Sequence, residues 1–204
     1  MNYGRILCFF LLLPFLSLSL EAQDTGQEYL PLADARIVRV SDDNAFVHRD
    51  ETNIPLEVDM IVEEGDWIHS MDGTVVITFA NGSNLVMQRQ AVIYLAELRQ
   101  EPYDADALGA YGALQADPSR SVTRVFLSEG EVRGHTRSLR SDSVFRVSTP
   151  VGAAGIRGTR FAVSLSLDGD RLTLNVRNYG GTVILERTFI DSAGQTAVDE
   201  IGLV

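Results

Sequence analysis

The stretch Phe161-Ala162-Val163-Ser164-Leu165-Ser166-Leu167-Asp168-Gly169-Asp170-Arg171-Leu172-Thr173-Leu174-Asn175-Val176 decides the fold class. On both sides of Asp168-Gly169, apolar residues alternate with small or polar ones at the period of a strand. A two-residue loop at Asp168-Gly169 pairs Leu167 with Asp170, Leu165 with Leu172, Val163 with Leu174 and Phe161 with Val176. One face is then almost wholly apolar, while the other carries Ser166, Arg171, Ser164, Thr173, Ala162 and Asn175. Asp-Gly accepts the positive φ angles of a type I′ turn, so turn chemistry and pattern agree on a β-hairpin.

The same logic extends outward. Around Asn81-Gly82 a two-residue loop would set Phe79 opposite Asn84 and mix polar with apolar residues on both faces. A three-residue loop, Ala80-Asn81-Gly82, pairs Ile77 with Leu85 and Val75 with Met87 and leaves one clean apolar face, with Gly82 in the left-handed bulge position. Further strands are expected at 36–40, 45–48, 66–69, 124–127, 144–148 and 182–188. Turns are expected at Glu64-Gly65, Asp72-Gly73, Glu129-Gly130 and Tyr179-Gly180-Gly181. Residues 90–100 suit either a short helix or a strand. Residues 101–121, rich in Ala, Asp, Pro and Gly, read as an inserted loop with a helical turn near 105–114. The expected class is all-β: stacked short antiparallel strands and hairpins, sandwich-like or solenoid-like, over residues 35–204.

The ends and the composition set the compartment. Arg5 precedes a charge-free stretch at 6–20 whose core, 6–13, is unbroken apolar, and small residues follow. That is the layout of a secretory signal peptide, assigned here to residues 1–22. Pro14 and shortness argue against a span, which needs about 20 apolar residues. Residues 23–34 read as a flexible leader. Cys8 is the only cysteine and lies inside the apolar core, so no disulfide can form after cleavage. The expected location is periplasmic or secreted, with membrane attachment only through an uncleaved signal segment. A net charge of −11 argues against nucleic acid and against anionic lipid. All 17 basic residues are Arg, which fits composition bias or an acidic salt-tolerant surface better than an Arg-based ligand site.

Catalytic templates are missing: no G-x-S-x-G elbow, no phosphate loop, no H-E-x-x-H and no C-x-x-C. No cofactor is expected. Glu63, Glu64, Asp66 and His69 form the nearest approach to a metal set, but Asp66 and His69 fall on opposite faces of a strand, and a solvated acidic turn is the simpler expectation. Asp42-Asp43-Asn44 and Tyr103-Asp104-Ala105-Asp106 are acidic loops without the order of a calcium loop. Trp67 suits a core position, with an exposed ligand platform as the alternative.

One motif stands out: Thr149-Pro150-Val151-Gly152-Ala153-Ala154-Gly155-Ile156-Arg157-Gly158-Thr159-Arg160-Phe161. Pro150 breaks a strand, Gly152 frees the backbone, the alanines allow close packing and Gly158 permits a bend. Arg157 is placed to bond the carbonyls of a neighbouring segment, pinning a strand corner, or else to contact a partner.

On these residues the chain resembles the periplasmic domain of the FecR family, named for the iron-dicitrate regulator. Thr149, Pro150, Gly152, Arg157, Gly158, Thr159 and Phe161 match its Thr-Pro-x-Gly and Arg-Gly-Thr-x-Phe steps. Gly65-Asp66-Trp67-Ile68, the run from Val75 to Ala80-Asn81-Gly82-Ser83, and residues 125–132 with Glu129-Gly130 are similar to three further steps in the same order. The resemblance implies a non-catalytic interaction domain that binds an envelope protein partner. Its best-understood relatives are transmembrane anti-sigma regulators. With five residues before the apolar stretch, no sigma-factor partner is expected here. A carbohydrate- or wall-polymer-binding module is the alternative, and a hydrolase hidden among the acidic residues a more distant one.

Overall fold

A computed structural model of the chain describes residues 30–104, 113–190 and 196–203. The expected signal segment, residues 23–29 of the expected leader and most of the expected helical turn lie outside them. No α-helix occurs among the described residues. Their strands are β1 (Ala35–Val40), β2 (Phe46–Arg49), β3 (Thr52–Pro55), β4 (Ile61–Val62), β5 (Trp67–His69), β6 (Val75–Phe79), β7 (Asn84–Met87) and β8 (Val92–Gln100). The second half of the chain adds β9 (Ser121–His135), β10 (Val144–Thr149), β11 (Gly152–Arg157), β12 (Arg160–Asp168), β13 (Arg171–Asn178), β14 (Thr182–Ile190) and β15 (Thr196–Leu203). The ambiguous segment 90–100 is therefore a strand.

Two sheets pack face to face and share one strand. Sheet I runs β3-β2-β5-β8-β9-β10-β11-β14-β15 and sheet II runs β4-β1-β6-β7-β9-β12-β13. All neighbours are antiparallel except β9 and β10, which run parallel with Val144 beside Val122. The long β9 belongs to sheet I up to Glu129 and to sheet II from Gly130, where φ is +81°. A Cβ at Gly130 would lie 2.8 Å from Ala91 Cα, so glycine is required there by both space and backbone angle. Strand alternation sends Ile68, Ile93, Val125, Leu127 and Val147 of sheet I against Ile37, Ile77, Leu85, Val132 and Val163 of sheet II. Phe145 of β10 joins the layers, edge-on to Phe79 of β6 at 5.6 Å and to Phe161 of β12 at 6.0 Å. The outcome is a sandwich that is not closed into a barrel.

The hairpin at 75–87 has the expected register, Ile77 opposite Leu85 and Val75 opposite Met87, and Gly82 takes φ +79°. The β12–β13 hairpin keeps its faces but slides. Asp168 pairs with Arg171 and Val163 with Val176, so the loop is Gly169-Asp170. Gly169 has φ +59° while Asp170 has no positive φ, the pattern of a type II′ turn with glycine first. The slide sets Leu165 against Leu174 and projects Leu167 and Leu172 into solvent. At the other end of the chain, residues assigned to a leader are docked: Leu32 bridges Arg99 and Ala33 N–H donates to Leu98. The insert is anchored too, since Gln100, Asp117, Ser119 and Ser121 are buried and hydrogen-bonded to one another.

Candidate functional site

The motif that dominates the sequence closes the β10–β11 hairpin and the corner leading into β12. Thr149 pairs with Gly152 across a Pro150-Val151 loop, and the Thr149 hydroxyl donates to the Gly152 carbonyl at 2.9 Å. Gly152 owes its place to close approach, not to a special backbone angle: a Cβ there would sit 2.7 Å from the Glu186 carbonyl. Ala154 and Ile156 are in the core. Arg157 is exposed and Nη1 donates to the Ser141 carbonyl at 3.2 Å. Gly158 bends the chain with φ +55°. Thr159 is buried; its amide donates to Thr136 Oγ1 and its hydroxyl to Asn178 Oδ1. Phe161 faces Gly134 across the β9–β12 ladder, and a Cβ at Gly134 would overlap the ring.

These contacts converge on the segment 136–143, which carries the chain from β9 back to its parallel neighbour β10. Thr136 is held by Thr159, Arg137 Nε donates to the Gly82 carbonyl, Ser138 C=O accepts from Asp117 N, and Ser143 Oγ accepts from Ser121 N. Asn81 closes the neighbouring corner, its carbonyl capping Ser83 N–H and its amide donating to Ser121 and Thr123. Thr136, Asp117 and Asn178 carry no mark in the sequence because partners distant in the chain give them their roles. Asn81, readable as a turn residue, gains its contacts to Ser121 and Thr123 only in the fold. A signal did exist for Gly134, the one small residue opposite a large motif aromatic.

Asp66 corrects the picture of a solvated acidic turn. It is 2% exposed and grips Arg49 through two bonds, Nε at 2.7 Å and Nη2 at 2.6 Å, while also accepting the Glu63 amide. Glu64 pairs with Arg99 at 2.8 Å. Asp42 holds the amides of Asn44 and Asp72, and the Asn44 amide foremost lowers its pKa. These carboxylates close the chain on itself.

A second feature lies on the solvent side of sheet I. Register aligns His48 with Trp67, Trp67 with Tyr94, Tyr94 with Phe126 and Phe126 with Ser148. Trp67 is thus on the outer face, half-buried, while Ile68 takes the core position. Its ring is tilted on Tyr94 at 5.0 Å and edge-on to Phe126 at 6.4 Å. Beside this row Phe46 stacks flat on His69 at 4.3 Å. Burial, aided by nearby His48, pushes the His69 pKa below its usual value. An antiparallel sheet's water side is ordinarily polar; this one carries an aromatic row on three neighbouring strands, β5, β8 and β9, with the Phe46–His69 stack beside it.

The fold and the site together define a two-sheet β module with a pinned crossover and an aromatic outer face. The FecR protein family pattern matches residues 68–183, more than half of the chain. The chain belongs to the FecR protein family. No curated protein and no solved structure matches it.

Proposed function

We propose that this protein is an exported, non-catalytic interaction module of the cell envelope, periplasmic or secreted, that binds a protein partner through the outer face of sheet I. The observation that carries this is the aromatic row of Trp67, Tyr94 and Phe126, aligned strand by strand on the water side of the sheet. Aromatic side chains supply large contact area at low entropic cost and concentrate at protein interfaces. Family membership supports the same direction, since the FecR resemblance implies envelope contacts and not catalysis. Arg157, with its guanidinium tied to the Ser141 carbonyl, serves as a corner pin in this proposal, and the buried motif residues serve the scaffold.

The row also bears on the sugar-binding alternative. A carbohydrate platform needs an open ring face, whereas the Trp67 ring packs on Tyr94 and against Phe126 within the row. That arrangement favours a protein surface over a flat sugar. The experiment is crosslinking in cells with wild-type protein and with Trp67→Ala/Tyr94→Ala. The expected result is a captured envelope protein that the double variant loses while its thermal midpoint stays close to wild type. Retention on peptidoglycan with no protein captured would sink the proposal in favour of a polymer ligand.

A further inference from the structure

We infer that the solvent side of sheet II is a second docking surface, for a carboxylate-rich extended segment of a partner protein; the choice of a protein rests on the proposed function above. Strand alternation turns Arg36 and Arg39 of β1, Arg133 of β9, Arg160 of β12, and Arg171 and Arg177 of β13 outward on this face. The same strands turn only Glu131 and Asp168 that way. The face is therefore positive on a chain of net charge −11.

Its layout is a rail-and-floor arrangement. One cross-strand row reads Arg177, Ala162, Arg133, Val86, Val76, Arg39. Ala162, 2% exposed, lies between two arginines, and the valines form a low uncharged floor between Arg133 and Arg39. Adjacent strands are ~4.8 Å apart, so the row spans ~24 Å, the length of about seven extended residues. Arg133 is bound to Glu131 at 2.5 Å, Arg177 lies 3.9 Å from the same carboxylate, and Arg36 is 3.6 Å from Asp59. Arg39, Arg160 and Arg171 have no side-chain partner among the described residues.

With 28 acidic residues in the chain, this is not a shortage of carboxylates. Like charges gathered on one face repel one another, and an acidic partner relieves that repulsion while its approach is steered. The arginines stand one or two to a strand and do not converge on a point. A single phosphate would meet one or two of them; carboxylates spaced along an extended segment meet them in turn, each suited to a guanidinium fork.

The test titrates the intact chain against a labelled polyglutamate peptide of about 12 residues, at about 20 mM and about 300 mM NaCl. Binding is expected at low salt and weakening at high salt. The variant Arg39→Glu/Arg133→Glu/Arg177→Glu is expected to lose about tenfold or more in affinity, with Trp67→Ala/Tyr94→Ala unaffected. Should the triple reversal fail to fold, judged by circular dichroism and melting, the triple Gln variant replaces it with the same expectation of loss. No binding at low salt, or binding indifferent to these variants, overturns the inference. Tighter binding of inorganic polyphosphate or of anionic-lipid vesicles than of polyglutamate overturns the choice of a carboxylate partner. Because polyglutamate is titrated directly, an empty crosslinking experiment in cells counts against the proposed function alone.

Discussion

Gly134 and Phe161 make one decision between them. The ring occupies the space where any side chain opposite it would stand, and it is locked from the other side by Phe145. Gly134→Ala should therefore destabilise by about 2 kcal/mol through overpacking, and Phe161→Ala by about 3–5 kcal/mol through the cavity it leaves. Urea denaturation of both and of Gly134→Ala/Phe161→Leu checks the coupling: the double variant should recover part of the loss. Asp66 belongs at the same scale. Asp66→Asn keeps the shape but removes the charge that Arg49 holds through two bonds, and the same denaturation series should show a loss of about 2–3 kcal/mol. A change smaller than a few tenths would mean that solvent around Arg49 carries the charge as well as Asp66 does.

At the scale of elements, β9 and the β2–β5 pair are the informative ones. Gly130 lets β9 pass between sheets, and Gly130→Ala imposes a left-handed alanine costing about 1–2 kcal/mol as well as overlap with Ala91. The combined loss should lower the melting temperature far more than Gly169→Ala at the exposed hairpin tip. His69 adds a pH dependence. Its folded pKa lies below 6.5, so the unfolded chain takes up the proton first, and stability falls as pH drops through that region. His69→Phe, which keeps the stack on Phe46, should flatten the urea midpoint between pH 7.5 and pH 5.5 relative to wild type. Elements also show what was legible. The register at Asn81-Gly82 was readable because only one loop length leaves a clean apolar face. At Asp168-Gly169 two registers keep the same faces, so the pattern could not choose between a I′ and a II′ turn, and the glycine took the first loop position. The docking of residues 30–34 and the buried Asp117 network depend on partners far along the chain, which periodicity does not encode. The outward turn of Trp67 was within reach, for alternation from Ile68 forces it once Ile68 is placed in the core.

For the whole molecule, the motif residues and the contact faces overlap at one position only. Thr149, Gly152, Gly158, Thr159 and Phe161 hold the corner around the crossover, whereas both proposed docking faces are built, Arg160 apart, from side chains that the motif does not contain. The crossover itself can be tested globally: Thr136→Val/Thr159→Val removes its central hydrogen bonds and should lower the midpoint of the entire molecule, in fluorescence and in circular dichroism alike. Probes that separated, with sheet II melting before sheet I, would contradict a single cooperative unit. The shared strand explains why one unit is expected. Seen as mechanics, β9 is a tie-rod: a pull applied to a partner seated on one sheet reaches the other along a covalent chain, without having to cross a sliding interface. A module tethered between two envelope components in this way would bear tension as one body and yield all at once, and would not come apart layer by layer.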